Sequence, residues 1–131
     1  MAIYNPYKQY ENQNVMTASA GELVLMLYNG FLRFLRQAIE YIQGNEIEKA
    51  HNSILRAQAI IEELMFTLDA DYEISKSMEQ LYDYMGGRLV DANISKDIET
   101  LNEIIDLMVD LRDTWAEAIK INRQQRYANE G

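Results

Sequence analysis

Apolar positions recur along this chain with a helical period in four long stretches, parted by short polar breaks, after an opening segment without such a period. The first stretch predicts a helix from about Ala20 to Gln43. Ser19 stands three residues before Glu22, the spacing of a capping box, in which each side chain bonds the other residue's backbone amide. Behind it runs Leu23-Val24-Leu25-Met26-Leu27-Tyr28, almost without polar relief. A helix apolar nearly all round is buried on several sides, so the others are expected to pack around this one. Gly44 suits the left-handed position after a helix end, and Asn45, with Glu48 three residues on, is expected to cap the next helix.

The second helix shows a regular seam, Ile47, Ala50, Ile54, Ala57, Ile61, Leu64 and Leu68, and is expected to end near Asp69-Ala70-Asp71. The third spans about Tyr72 to Asn93, with Met78, Leu81, Tyr82, Met85, Leu89 and Ala92 facing inward. Gly86-Gly87 in its middle costs about 1 kcal/mol per glycine relative to alanine and predicts a close backbone approach or a soft point. Ser95 is expected to cap the fourth helix, which continues to about Arg123. That helix carries two apolar stripes. Ile98, Leu101, Ile105, Met108, Trp115 and Ile119 form one; Ile104, Leu107, Leu111, Ala118 and Ile121 form the other. One stripe suffices for a bundle, so the surplus predicts a surface covered by the opening arm, a second copy or a partner. Four such helices with short connections imply an all-α, antiparallel up-down four-helix bundle, residues 17–131, preceded by an N-terminal arm, residues 1–16.

In that arm, Asn5-Pro6 suits the start of one helical turn, and Tyr4, Tyr7 and Tyr10 recur on one face of it. Such an arm either folds back on the body or waits for a partner. Composition narrows the class. The chain has 131 residues, 48% apolar and 25% charged, the profile of a single globular domain. No cysteine is present, so disulfides and thiolate metal sites are unavailable. The opening residues lack a signal-peptide pattern and no apolar run reaches bilayer length, which predicts a cytoplasmic protein without membrane insertion. A net charge of −9 speaks against nucleic acid as a partner. Lys120, Arg123 and Arg126 near the end complement a helix dipole.

Candidate chemistry is sparse. Glu48-Lys49-Ala50-His51 matches the Glu-x-x-His pattern of di-metal bundles, but that site needs the motif twice and His51 is the single histidine. His51 followed by Leu55-Arg56 invites comparison with a histidine phosphotransfer domain. The small residue expected beside the imidazole would be Ala57, which falls on the core seam, and an exposed structural histidine is the plainer reading. One histidine without a nucleophile elbow builds no hydrolase triad, and no glycine-rich phosphate loop follows a strand. Asp69, Asp71 and Glu73 begin like a calcium loop but lack its glycine and terminal glutamate. The residues predict no enzyme, no cofactor and no metal.

Longer blocks carry a resemblance. Asn5-Pro6-Tyr7-Lys8-Gln9-Tyr10, Thr17-Ala18-Ser19 leading into Leu25-Met26-Leu27-Tyr28-Asn29-Gly30, and Leu81-Tyr82-Asp83-Tyr84-Met85 with Arg88-Leu89-Val90-Asp91-Ala92-Asn93 stand in order. Leu111-Arg112-Asp113-Thr114-Trp115 with Ala118-Ile119 completes the set. Together they resemble the flagellar export chaperone family FliS across nearly the whole chain. Ala20 stands where that family often has proline, and Gly86-Gly87 where it usually has larger residues. The resemblance implies a cytosolic, non-enzymatic chaperone that binds the disordered C-terminal segment of flagellin, prevents its premature polymerisation and delivers it to the export gate. An amphipathic segment docking in an apolar groove fits this role. Ile104, Leu107, Met108, Leu111, Trp115 and Ile121 are the candidate groove. Tyr7 and Tyr10 match the family's arm, associated with capping the body and with export-gate docking. The competing class is a helical adaptor whose second stripe mediates self-association; a monomer or weak homodimer is expected.

Overall fold

The structure, a computed structural model, describes residues 20–69 and 74–130. Ser19 of the expected capping box and the tyrosines of the arm, Tyr4, Tyr7 and Tyr10, lie outside the described residues. The described chain forms four helices: α1, Ala20–Gln43; α2, Ile47–Phe66; α3, Ile74–Ser95; α4, Ile98–Glu130.

Side-chain pairings show that every neighbour is antiparallel. The Lys49 ammonium lies 5.8 Å from the Tyr41 ring and the Arg56 guanidinium 5.7 Å from Phe34, so α2 rises in number as α1 falls. His51 meets Asn93 across α2 and α3, and Tyr84 meets Glu103 across α3 and α4. Arg112 reaches Asn29 and Trp115 reaches Gly21, closing the ring between α4 and α1. Each helix packs against its sequence neighbours, and α1 against α4. The expected all-α four-helix bundle is the fold observed. Its core is continuous through all four helices, with Tyr28, Phe31, Leu32, Leu35, Ile54, Leu64, Tyr82, Met85, Leu89, Leu101, Ile104 and Met108 fully buried. Each large aliphatic or aromatic side chain so buried contributes about 1.5–3 kcal/mol.

Helix ends depart from the sequence reading in an instructive way. Asn45, not Gly44, takes the left-handed conformation, at φ 57°. Its amide donates to Ile42 O at 3.0 Å and the Glu46 amide to Tyr41 O at 2.7 Å, the bond pair of a Schellman stop. Asparagine tolerates this region because its short polar side chain bonds locally. Asn45 therefore ends α1 instead of capping α2, whose cap position, Glu46, makes no side-chain cap bond. The same device follows α3: Lys96 has φ 53°, and the Asp97 amide donates to Ala92 O at 3.1 Å. Ser95 is the last residue of α3 and not the cap of α4. Asp97 is that cap, accepting from the Glu99 amide at 3.1 Å and from the Thr100 hydroxyl at 2.7 Å.

Further expectations are corrected. Helix α2 stops at Phe66, where the Thr67 hydroxyl donates to Leu64 O at 2.6 Å, several residues before Asp69-Ala70-Asp71. Helix α4 runs past Arg123 to Glu130. Ile47 is exposed, because it opens α2 on the edge of the buried seam. Of the two readings of Gly86-Gly87, close approach of another backbone is not what the described residues show: a methyl at Gly86 would meet only the Ile61 side chain, at 3.7 Å, and one at Gly87 nothing within 4 Å. The opening run of α1 is also less enclosed than its composition suggests. Leu23, Val24, Leu25 and Leu27 are half-buried and Met26 is exposed; among the described helices α1 packs against α2 and α4.

Candidate partner-binding surface

The six residues expected to form a groove on α4 do not share one environment. Ile104 and Met108 are fully buried and belong to the core, which corrects their assignment to a partner surface. Helix α4 packs between α3 and α1, so its two stripes flank one buried face as far as Met108, while Ala118 and Ile121 beyond it are exposed. Leu107, Leu111 and Trp115 are half-buried against that core, and of the six Ile121 alone is exposed.

Trp115 is a clasp. Its indole N–H donates to Gly21 O at 2.9 Å, and its ring meets Tyr28 edge-on at 6.1 Å. Tyr28 in turn shares a 2.6 Å hydroxyl bond with Tyr82 in the middle of the bundle. Burial pushes both phenols above their usual range. Arg112 with Asn29 and Arg123 with Glu22 reinforce the same seam outside. The α3–α4 seam is closed by polar contacts. Glu103 accepts from the Tyr84 hydroxyl at 2.7 Å and from Arg88 at 3.1 Å, which holds its carboxyl below the usual carboxylate range.

Further exposed apolar side chains lie along α2 and α3. Ile47, His51 and Leu55 recur every four residues on one face of α2, and Val90 and Ile94 do the same on α3. The Asn93 side-chain amide touches His51 Nδ1, 3.0 Å from its nitrogen and 3.2 Å from its oxygen. Either ring tautomer is served, with the amide N–H donating to a bare Nδ1 or Nδ1–H donating to the amide oxygen. That contact and the proximity of Gly86 to Ile61 fix the register. Ile94 follows Asn93 on α3, and Val90 lies one turn before it. Ile94 is 80% exposed and Phe66 79%; Ile47, Leu55 and Val90 are each a little under half exposed.

This face was not anticipated. Its only trace in the sequence is that Val90 and Ile94 fall off the inward set of α3, one turn apart, beside two glycines. It offers exposed apolar side chains on two adjacent helices, the chemistry on which an amphipathic helix docks. His51 is a bonded surface histidine within it. Tyr7 and Tyr10 lie outside the described residues. Among the described residues no helix is long and apolar enough to cross a membrane.

Comparison with known proteins agrees with this architecture. Residues 3–122 match the family described as "Flagellar protein FliS". The flagellar secretion chaperone FliS of Bacillus subtilis (strain 168) is 46% identical over 131 residues, covering 100% of this chain and 98% of that protein. Its counterpart in Escherichia coli (strain K12) is 35% identical over 108 residues, 80% of this chain and 79% of that one. A solved structure described as a flagellar chaperone from bacteria superposes with a TM-score of 0.75 at 18% identity, over 87% of this chain and 94% of the other. That likeness concerns the fold.

Proposed function

This chain belongs to the FliS family of flagellar secretion chaperones, and from that premise we propose that it binds the C-terminal segment of flagellin in the cytosol, keeps it from polymerising early and hands it to the flagellar export gate. The observation that carries the reading is the α2–α3 side, where Ile47, Leu55, Phe66, Val90 and Ile94 are exposed. Contiguous apolar surface of this kind marks an interaction site. A segment that is disordered before assembly gains affinity by laying apolar anchors into such a groove. Leu107, Leu111, Trp115 and Ile121 are its proposed contacts on α4, through the parts of their side chains that the bundle leaves accessible. Tyr7 and Tyr10 are proposed to cap the apolar surface in the unliganded chaperone and to contact the export gate.

Calorimetric titration with a flagellin C-terminal peptide tests this. The double variant Val90→Asp, Ile94→Asp should lose affinity by about tenfold or more, the scale of one buried anchor, at unchanged melting temperature. Undiminished binding would remove the α2–α3 face from the reading. Mass measurement with and without the peptide separates this role from a self-associating adaptor. A stable dimer that the peptide fails to dissociate or enlarge would favour the adaptor.

A further inference from the structure

We infer that the α1–α2 side is a docking surface for a short acidic segment of a partner protein, whose carboxylates meet the Arg33 and Arg56 guanidinia beside the Phe34 ring. The inference does not depend on reading the α2–α3 face as the cargo site. It concerns the flank of α2 that adjoins α1 and a different partner chemistry.

Three contacts fix the register of this side. Arg33 and Arg56, from the two helices, gather on one ring, with their guanidinium carbons 5.3 and 5.7 Å from the centre of Phe34. Lys49 lies over Tyr41, two turns further along α1, at 5.8 Å. One turn the other way, a methyl on Gly30 would stand 3.4 Å from the Ile60 side chain. Through this stretch neither helix carries a carboxylate: residues 23–39 of α1 and 49–61 of α2 include no aspartate or glutamate, in a chain of net charge −9.

Arg33 and Arg56 thereby differ from the other described cations. Lys49, Arg88, Arg112 and Arg123 are each ion-paired. Arg36, Lys76, Lys96 and Lys120 each have a carboxylate one turn away on their own helix: Glu40, Glu79, Glu99 and Glu117. The positions one turn from Arg33 and Arg56 hold only neutral residues and Arg36. Among the described residues neither arginine has an ion pair, and Asp106 and Asp110 of α4, the helix on the other side of α1, form none with them. Two guanidinia on one ring repel each other, and a carboxylate reaching both relieves that repulsion through charge-assisted bonds to their N–H forks. Both arginines stand in helix interiors, where the backbone N–H groups are already bonded, so the amide cradle that holds a free phosphate is missing. The floor is instead Phe34, half-buried, with Ile60 half-buried one turn from Arg56. An acidic side chain beside an apolar one on a peptide uses both features. A nucleic acid or an anionic membrane presents a long negative surface that the net charge repels, whereas a short segment meets the carboxylate-free stretch alone.

The test titrates the isotope-labelled full chain, followed by nuclear magnetic resonance, with two short synthetic peptides. One carries two glutamates a turn apart beside a leucine; the other has glutamines in their places. The glutamate peptide should shift the side-chain signals of Arg33, Arg56 and Phe34 and bind about fivefold tighter, the scale of two exposed ion pairs. That advantage should shrink as salt rises. The variant Arg33→Gln, Arg56→Gln should abolish it. The variant Lys76→Gln, Lys120→Gln, with the same change of net charge, should preserve it, and circular dichroism checks that both variants are folded. Equal binding of the two peptides, or equal loss in the two variants, would overturn the inference. Inorganic phosphate or a single-stranded oligonucleotide that shifts the same signals at lower concentration than the glutamate peptide would overturn the assignment to an acidic protein segment.

Discussion

The α1–α4 seam is fastened by side chains that span it, whereas the α2–α3 face leaves apolar side chains exposed. On the seam, Trp115 spans the gap between helices, its indole N–H finds Gly21 O, and its ring seats against Tyr28. Arg112 and Arg123 then fasten the rim to Asn29 and Glu22. On the face, Gly86 comes near Ile61 and His51 bonds Asn93, with Ala57 and Ala92 buried beneath. The larger side chains flank that contact on its solvent side. Large residues with a polar handle lock two helices and use up their apolar surface. Small residues bring two helices together and leave the neighbouring apolar side chains free for a third.

The largest expected effect distinguishes buried from open apolar positions. Ile104→Asp should destabilise by about 4–5 kcal/mol, since it places an unpaired charge in the core, and chemical denaturation should show that loss or outright unfolding. Ile94→Asp should stay within about 0.5 kcal/mol of the parent. Similar losses for the two would erase the contrast between core and face.

A smaller effect belongs to the phenol pair at the centre of the closed side. Tyr82→Phe leaves the Tyr28 hydroxyl buried without its partner and should cost about 1–2 kcal/mol, while the double change with Tyr28→Phe should recover most of it. Additive losses in that cycle would show that the bond contributes nothing. Both phenols are raised, first by burial, so their neutral form is the one the fold favours. Their contribution is complete below the ordinary tyrosine pKa, about 10, and is lost as pH rises beyond it. The melting temperature should fall in that alkaline range, less steeply in the double phenylalanine variant.

The smallest effect lies on the open side. Gly87→Ala has free space around the new methyl and should stabilise α3 by up to about 1 kcal/mol through helix propensity. Gly86→Ala, 3.7 Å from Ile61, should gain no more than that. Destabilisation by either would mean that α3 and α2 approach more closely than ordinary van der Waals contact.

The four helices and most core positions were legible in the sequence, because burial of a helix against neighbours imposes a period that survives as Ala50-Ile54-Ala57-Ile61-Leu64 or Tyr82-Met85-Leu89-Ala92. The family was legible too, in blocks that include the clasp residue Trp115. Helix ends were read less well. Asn45 and Lys96 take left-handed conformations that a glycine nearby, or no glycine at all, would not suggest, and Asp97 caps where Ser95 was equally eligible by composition. The site was read least well. Periodicity marks a residue as apolar and on a face; it does not say whether another helix covers that face. Ile104 and Ile94 are the same residue type at helical spacing, and only the packing of α4 between two neighbours, against α3's outward edge beside two glycines, makes one core and the other surface. Fold class follows from local patterns that each helix carries in its own residues. Exposure depends on the distance and rotation between helices, quantities set jointly by side chains far apart in the chain, and so it was decided by the tertiary structure alone.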